Sequence, residues 1–506
     1  MEPQANTPPA FLLSRWVFLR LLGLTYLFAF ISLASQVVGL VGTEGILPVE
    51  RYLYHLEDTY GTESYHLYPT LLWLSSSDET LILLCWLGAL LSVMLILGLA
   101  PRAVLAALWI SYLSLSIGGQ VFLGFQWDSL LLETGLLACL YAPRGLWPTL
   151  NTEPPPKPTA RWLIWWLTFR LIFLSGITKL ASGDPTWADL TALTHHFETQ
   201  PLPLWTSWYM HQLPKGFHQL LTIGMFVAEL VLPFVVFLPI SWIRLRQMAI
   251  FGLVLLQAAI GLSGNYGFFS CLSALLCLAL VDDRTWLRIL PALITGRAPI
   301  AESSHPKSRG WNTKLGASLT VLLFILGGLT FAREISNTLN RAGRSAPSFA
   351  WSDPLIGWVQ PFRSINGYGL FRIMTVKRPE IVIEASLDGT QWIEWNPRWK
   401  PGDVRQRPRL VAPHQPRLDW NLWFAALEPQ AENYWLSSLV KTLLANNSAV
   451  TALMGKPPFP DTGPVFIRLA LYNYRFTTPK ERARTGTWWH RQFLRYLTPP
   501  TSHNVQ

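Results

Sequence analysis

Five ionisable side chains, Asp128, Glu133, Arg170, Lys179 and Glu229, fall inside runs that are otherwise apolar. Charges at bilayer depth are rare and are functional candidates by default. Lys179 has the most suggestive setting, because Ser175 and Gly176 lie one turn earlier and would let a ligand or a helix approach closely. A lysine held in a dry pocket can lose its proton and act as a base. With Asp128, it could form a catalytic site between the fourth and fifth apolar runs, acting on a lipid or quinone. The structural reading stands beside this one: buried ion pairs fix helix register, and Lys179 is close enough to the interface to snorkel.

Helical rise sets the depths of these groups. Glu133 lies about 7–8 Å deeper than Asp128, and Lys179 about 13–14 Å nearer the outer face than Arg170. Antiparallel neighbours then predict Asp128 with Lys179 and Glu133 with Arg170, with Glu229 as another partner for Arg170. Arg20 is a further charge at membrane depth.

A second constellation sits far along the chain, in Val411-Ala412-Pro413-His414-Gln415-Pro416-Arg417-Leu418-Asp419-Trp420. His414, Arg417 and Asp419 could form an acid/base group. Equally, Arg417 and Asp419 could tie down a turn between flanking prolines, and no nucleophile accompanies the three. Four histidines, His195, His196, His211 and His218, gather in or beside the stretch 183–217. Adjacent His195 and His196 cannot easily face one ion, so the stretch reads as an interfacial loop and no metal site is expected. Residues 333–506 lack a Gly-rich phosphate loop, a Gly-x-Ser-x-Gly elbow and paired Cys/His spacing, and no cofactor is called for.

The elements that must position these groups are membrane helices. Apolar runs cover 14–38, 80–99, 103–119, 127–142, 162–182, 217–240, 248–264, 268–282 and 315–332. Spanning a bilayer takes about 20 helical residues, and four of these runs are short, so eight or nine transmembrane helices are expected. The first run is too long for a signal-peptide core and reads as a retained helix. Twelve basic residues fall in one set of short loops, from Arg102 to Lys314, against Arg51 and Lys215 in the other. The positive-inside rule then puts the N-terminus in the cytoplasm and residues 333–506 outside. Pro154-Pro155-Pro156-Lys157-Pro158 reads as a stiff linker and 299–313 as a looser one.

Charge distribution separates the domains. Only 14% of the 506 residues are charged, against about 25% in soluble proteins, which excludes disordered chains and ordinary nucleic-acid-binding proteins. Residues 1–332 hold 18 basic and 18 acidic residues, whereas 333–506 hold 22 against 12, so the whole +10 excess belongs to the second part. That basic part could meet an exported client protein or the headgroups of membrane lipid. All four cysteines lie in apolar runs, so the outer part cannot perform thiol exchange by itself.

Within the outer part the period changes to two. Residues 381–395, with Asp388-Gly389 at the turn, read as a hairpin, and 465–476 as a long strand. Helices are expected over 418–428 and 432–453. The predicted architecture is a helical polytopic membrane bundle (1–332), an antiparallel β-rich outward domain with a helical insertion (333–478), and a mostly disordered tail (479–506) anchored by Trp488-Trp489.

Several motifs together resemble the lipase maturation factor family: Gln126-Trp127-Asp128-Ser129-Leu130-Leu131-Leu132-Glu133, Ile365-Asn366-Gly367-Tyr368-Gly369, Arg378-Pro379-Glu380, Lys400-Pro401-Gly402-Asp403, the run from Ala412 to Trp420, and Tyr472-Asn473-Tyr474-Arg475-Phe476. The likeness covers nearly the whole chain and keeps the motif order. It implies a membrane-embedded, chaperone-like maturation factor whose outward domain assists exported proteins such as secreted lipases. Its seat would be the endoplasmic reticulum of a eukaryote, or the bacterial inner membrane with a periplasmic domain; the short loops favour the latter. More distantly, Gly176-x-x-Lys179-Leu180 followed by Asp184 and Trp187 is similar to the catalytic-lysine segment of vitamin K-dependent carboxylases. Where those enzymes carry a histidine after Trp-Asn-Asn, this chain reads Trp127-Asp128-Ser129-Leu130, which speaks against quinone-driven carboxylation.

Overall fold

The computed structural model describes residues 11–502 apart from 151–152, 240–241, 291–310 and 432. Most of the 299–313 linker, with Lys307 and Arg309, lies outside the described residues, as do Arg297 and the last four residues of the chain. The main helices of the first part are α1 (Leu12–Ala34), α2 (Asp78–Leu97), α3 (Pro101–Gly118), α4 (Gln126–Tyr141), α5 (Pro158–Ala181), α6 (Lys215–Leu230), α7 (Ile243–Ser263), α8 (Phe269–Leu278) and α9 (Trp311–Arg341).

Among the described residues, seven helices are long and apolar enough to cross a membrane: α1, α2, α3, α5, α6 with its continuation to Val235, α7 and α9. Helices α4 and α8, with 16 and 10 residues, complete the nine apolar runs. The protein is a multi-pass membrane protein. Local chemistry sets the helix ends. Ser77 caps α2, accepting the Thr80 N–H at 3.4 Å, and Asp78 and Glu79 complement the helix dipole. Gly98, at φ 86°, closes α2 in the left-handed conformation, and Pro101 and Pro158 open α3 and α5. Helices α1 and α2 pack closely because Gly88 leaves room for the Phe30 ring, where a Cβ would collide.

The two ends of the bundle differ. At the N-terminal end, Leu12 N–H donates to Asp283 at 2.8 Å and Arg15 pairs with Glu153 at 2.6 Å beside the proline linker. The opposite end carries the C-terminal domain, where the Asn265 amide donates to Arg409 O at 2.8 Å.

That domain contains an antiparallel sheet of β1 (Arg378–Ser386), β2 (Ile393–Glu394), β3 (Phe466–Phe476), β4 (Trp489–Tyr496) and β5 (Thr501–Ser502), in the order β2-β1-β3-β4 with β5 also on β3. The expected hairpin is present, with Glu384 opposite Glu394 and Gly389 at φ 74° in its turn. In the central pair, Ile381 faces Leu471 and Ile383 faces Leu469. The inserted helices are α11 (Arg417–Leu427), which packs on β1, and α12 (Tyr434–Leu444); a shorter α10 (Asp353–Val359) precedes the sheet.

Residues 479–502 correct the expected disordered tail. A helix over Pro479–Thr485 starts with a reciprocal Thr478/Glu481 cap, and β4 follows it into the sheet. Strand β4 is an edge strand, so most of its side chains remain at the surface and its sequence lacks clean alternation. Trp488 and Trp489 do anchor the segment, in a cluster with Trp208, Tyr474 and Phe476. One apolar core runs from Phe30 and Leu130 through Leu418 and Trp420 to Ile381 and Leu469. Bundle and domain share it.

Candidate functional site

Asp128 lies in the first turn of α4, at the domain end of the bundle, and is 1% exposed. Its partner is Arg417, the first residue of α11. The guanidinium grips both carboxylate oxygens, at 2.6 and 2.7 Å, and the Tyr112 hydroxyl donates to the same carboxylate at 2.6 Å. The expected Asp128–Lys179 pair is therefore not formed. Depth matching among helices alone could not find Arg417, which reaches Asp128 from a different domain 289 residues away.

The rest of the 411–420 motif docks on the end of α1. Gln415 N–H donates to Ser32 Oγ at 2.8 Å, Gln36 Nε2 to Gln415 O at 3.0 Å, and Arg417 N–H to Gln36 Oε1 at 2.8 Å. His414 Nδ1 lies 2.9 Å from Ser32 Oγ. Burial, then the charges of Arg417 and Arg398, hold His414 down at about 4. Asp419 faces elsewhere and accepts the Trp399 and Lys400 N–H groups at 2.8 and 2.7 Å. Burial lifts its carboxyl to about 6, although these donors oppose the rise. His414, Arg417 and Asp419 thus diverge, and each ties the motif to a different neighbour. Trp420 packs edge-on against Trp127, with ring centroids 4.6 Å apart.

Glu133 and Arg170 pair as their depths predict. Sequence reasoning missed what else they hold. The second Glu133 oxygen accepts the Tyr368 hydroxyl at 2.7 Å and the Asn366 N–H at 3.1 Å, while Arg170 donates to Asn366 O at 3.1 Å. An ion pair at the middle of the bundle therefore holds irregular backbone from the C-terminal part, and the Ile365–Gly369 motif was the signal for it.

Lys179 is bound by Glu229 at 2.7 and 2.8 Å and sits 5.4 Å from the Trp187 ring centroid. Glu229, expected as another partner for Arg170, is engaged here because Gly176 lets its helix come close. Lys179 and Asp128 do not converge, so they form no common site. The clustered histidines also have separate neighbours: His196 Nε2 is 3.1 Å from the Tyr266 hydroxyl, His218 Nε2 2.8 Å from Met210 O, and His211 3.4 Å from Glu198.

A fourth buried network lies wholly outside the bundle. Glu380 joins Arg378 at 2.7 Å and Lys400 at 2.8 Å with no exposed side-chain surface, and Arg378 donates onward to the carbonyls of Glu198, Gln200 and Pro201. This network fixes the loop after the fifth helix to the sheet. Loss of one partner of such a buried pair typically costs about 3–5 kcal/mol, because the other charge is left unpaired.

Comparison with known proteins follows the same segments. The lipase maturation factor transmembrane domain matches residues 13–288, and the lipase maturation factor C-terminal domain matches residues 364–499. Lipase maturation factor 2 of Gallus gallus is 36% identical over 582 aligned residues, covering 96% of this chain and 81% of the relative. The Homo sapiens protein of the same name is 34% identical, with 97% and 83% covered, and lipase maturation factor 1 of Bos taurus is 34% identical, with 97% and 89% covered. No solved structure matches the chain.

Proposed function

The chain belongs to the lipase maturation factor family, and from that premise we propose that it assists the folding of exported, lipase-like clients through its C-terminal domain. In this reading the N-terminus is cytoplasmic and the sheet-bearing domain that follows α9 faces the exported side, in a bacterial inner membrane or in the endoplasmic reticulum. The supporting observation is what remains free once the buried pairs are assigned. Asp128, Glu133, Lys179 and Asp419 are each committed to protein partners, which leaves the outer domain's surface to work.

The most suitable part of that surface is the β4 edge. Phe493, Leu494 and Tyr496 are about half exposed there, next to Arg491 and Arg495. An edge strand with apolar side chains can pair with an extended segment of an incompletely folded chain. Arg491 is held by Glu394, so Arg495 is the basic side chain of this edge that would favour clients with acidic flanks. A photo-crosslinking residue at Leu494 of the full-length protein, co-expressed with a secreted lipase, tests this. Adducts with the newly made lipase, lost once it is mature, support the reading. Adducts absent at Leu494, with lipase secretion unchanged by Phe493→Glu, would overturn it.

A further inference from the structure

We propose that residues 349–368 form a re-entrant membrane element, with Trp351, Leu355 and Trp358 seated among lipid acyl chains on the domain side of the bilayer.

The depth of this segment follows from its contacts. Leaving α9 at the domain end, the chain turns back, and Arg333 of α9 binds Phe349 O, Ser352 Oγ and Asp353 at 3.3, 2.8 and 2.6 Å. From there α10 descends. At the bottom, Phe362 stacks on Trp109 with centroids 6.2 Å apart, and Ser364 Oγ accepts the Trp109 indole N–H at 2.9 Å. Trp109 is nine residues from the domain end of α3, which is about 13–14 Å of helix. Arg363, at φ 48°, reverses the chain, and Asn366 then meets Arg170, about 16 Å below the domain end of α5. Rising again, the segment passes Gly369 beside Thr178 and leaves the bundle where the Trp187 indole donates to Phe371 O at 3.1 Å.

Non-helical backbone is tolerated at such depth only where protein satisfies its polar groups. Glu133 and Arg170 do that for both the N–H and the C=O of Asn366. The same requirement explains why a charged pair sits mid-bundle without lining an accessible site.

The outward face of the element identifies its surroundings. Trp351, Leu355 and Trp358 fall at i, i+4 and i+7, on one side of the descending turn, and are 64%, 51% and 64% exposed. Two tryptophans and a leucine on one stripe, between the interface and the middle of the spanning helices, fit lipid and not water.

The test uses full-length protein carrying Leu355→Cys in a Cys271→Ala background, labelled with bimane and reconstituted into phosphatidylcholine vesicles; Lys480→Cys serves as the aqueous control. Leu355 is already exposed, so the substitution leaves packing intact. Loss of fluorescence with spin labels on the lipid acyl chains, with iodide ineffective, is expected at 355 and the reverse at 480. Trp358→Cys should behave like 355 and respond to the deeper of two acyl-chain positions. Quenching by iodide at 355 and 358, or by neither agent, would overturn the proposal.

Discussion

The Lys179–Glu229 pair and the Asp128–Arg417 pair use the same chemistry in different places. The first joins α5 to α6 and is contained in the bundle; the second joins the bundle to a helix of the C-terminal domain. Glu133 and Arg170 belong with the second, because Asn366 and Tyr368 come from the C-terminal part. Charge at membrane depth in this protein is therefore mostly a means of docking the C-terminal domain. A bilayer gives helices little hydrophobic reason to hold a water-facing domain at a fixed angle. A buried bidentate ion pair supplies direction, and a misplaced partner is costly.

The largest effect should separate the two pairs. Arg417→Met leaves Asp128 unpaired and should lower stability by about 3–5 kcal/mol. Hydrogen exchange should then rise first in α11 and β1, whereas Lys179→Met should raise it first in α5 and α6. Next in size is Tyr368→Phe, which removes one donor to Glu133 and should cost about 1–3 kcal/mol, read as a lower melting temperature. The exchange it provokes should centre on 362–370.

Acid should act on the docking side of the comparison. His414, His196 and His211 are all held at about 4, chiefly by burial, below an ordinary 6.5. Between those values the unfolded chain binds more protons, so these three groups lower stability as pH falls from 6.5 to 4. Asp419, raised from 3.8 to about 6, acts in the opposite direction, because there the folded chain binds the extra proton. His414→Asn should therefore lessen the loss of stability on acidification, and Asp419→Asn should steepen it, in pH-dependent melting curves. The smallest stability effect belongs to the exposed sheet edge. Phe493→Glu should change stability by no more than about 0.5 kcal/mol, yet reduce secretion of active lipase.

What the sequence made legible follows the same division. Helical rise was enough to match Glu133 with Arg170, because both sit mid-helix on neighbouring antiparallel elements. It failed for Asp128, whose position at a helix end faces another domain. Hydrophobic alternation located the 381–395 hairpin and the 466–476 strand, where burial imposes period two. It overlooked β4, since an edge strand takes its order from hydrogen bonds to β3 and not from a buried face. The motif strings were visible throughout, but their role was not. Residues 365–369, 378–380, 400–403 and 412–420 turn out to be joints, each pinning a loop, a sheet or a helix to something distant in the chain.

A double-mutant cycle on Asp128 and Arg417 tests the docking role most directly. Asp128→Leu, Arg417→Met and the combined variant are purified as full-length protein, and the folded fraction is read by monodispersity and thermal unfolding. Each single change should lose most of the folded protein, and the combination, which leaves no unpaired charge, should recover most of it. Losses that simply add, or single variants that fold as well as the parent chain, would contradict a docking role for the pair.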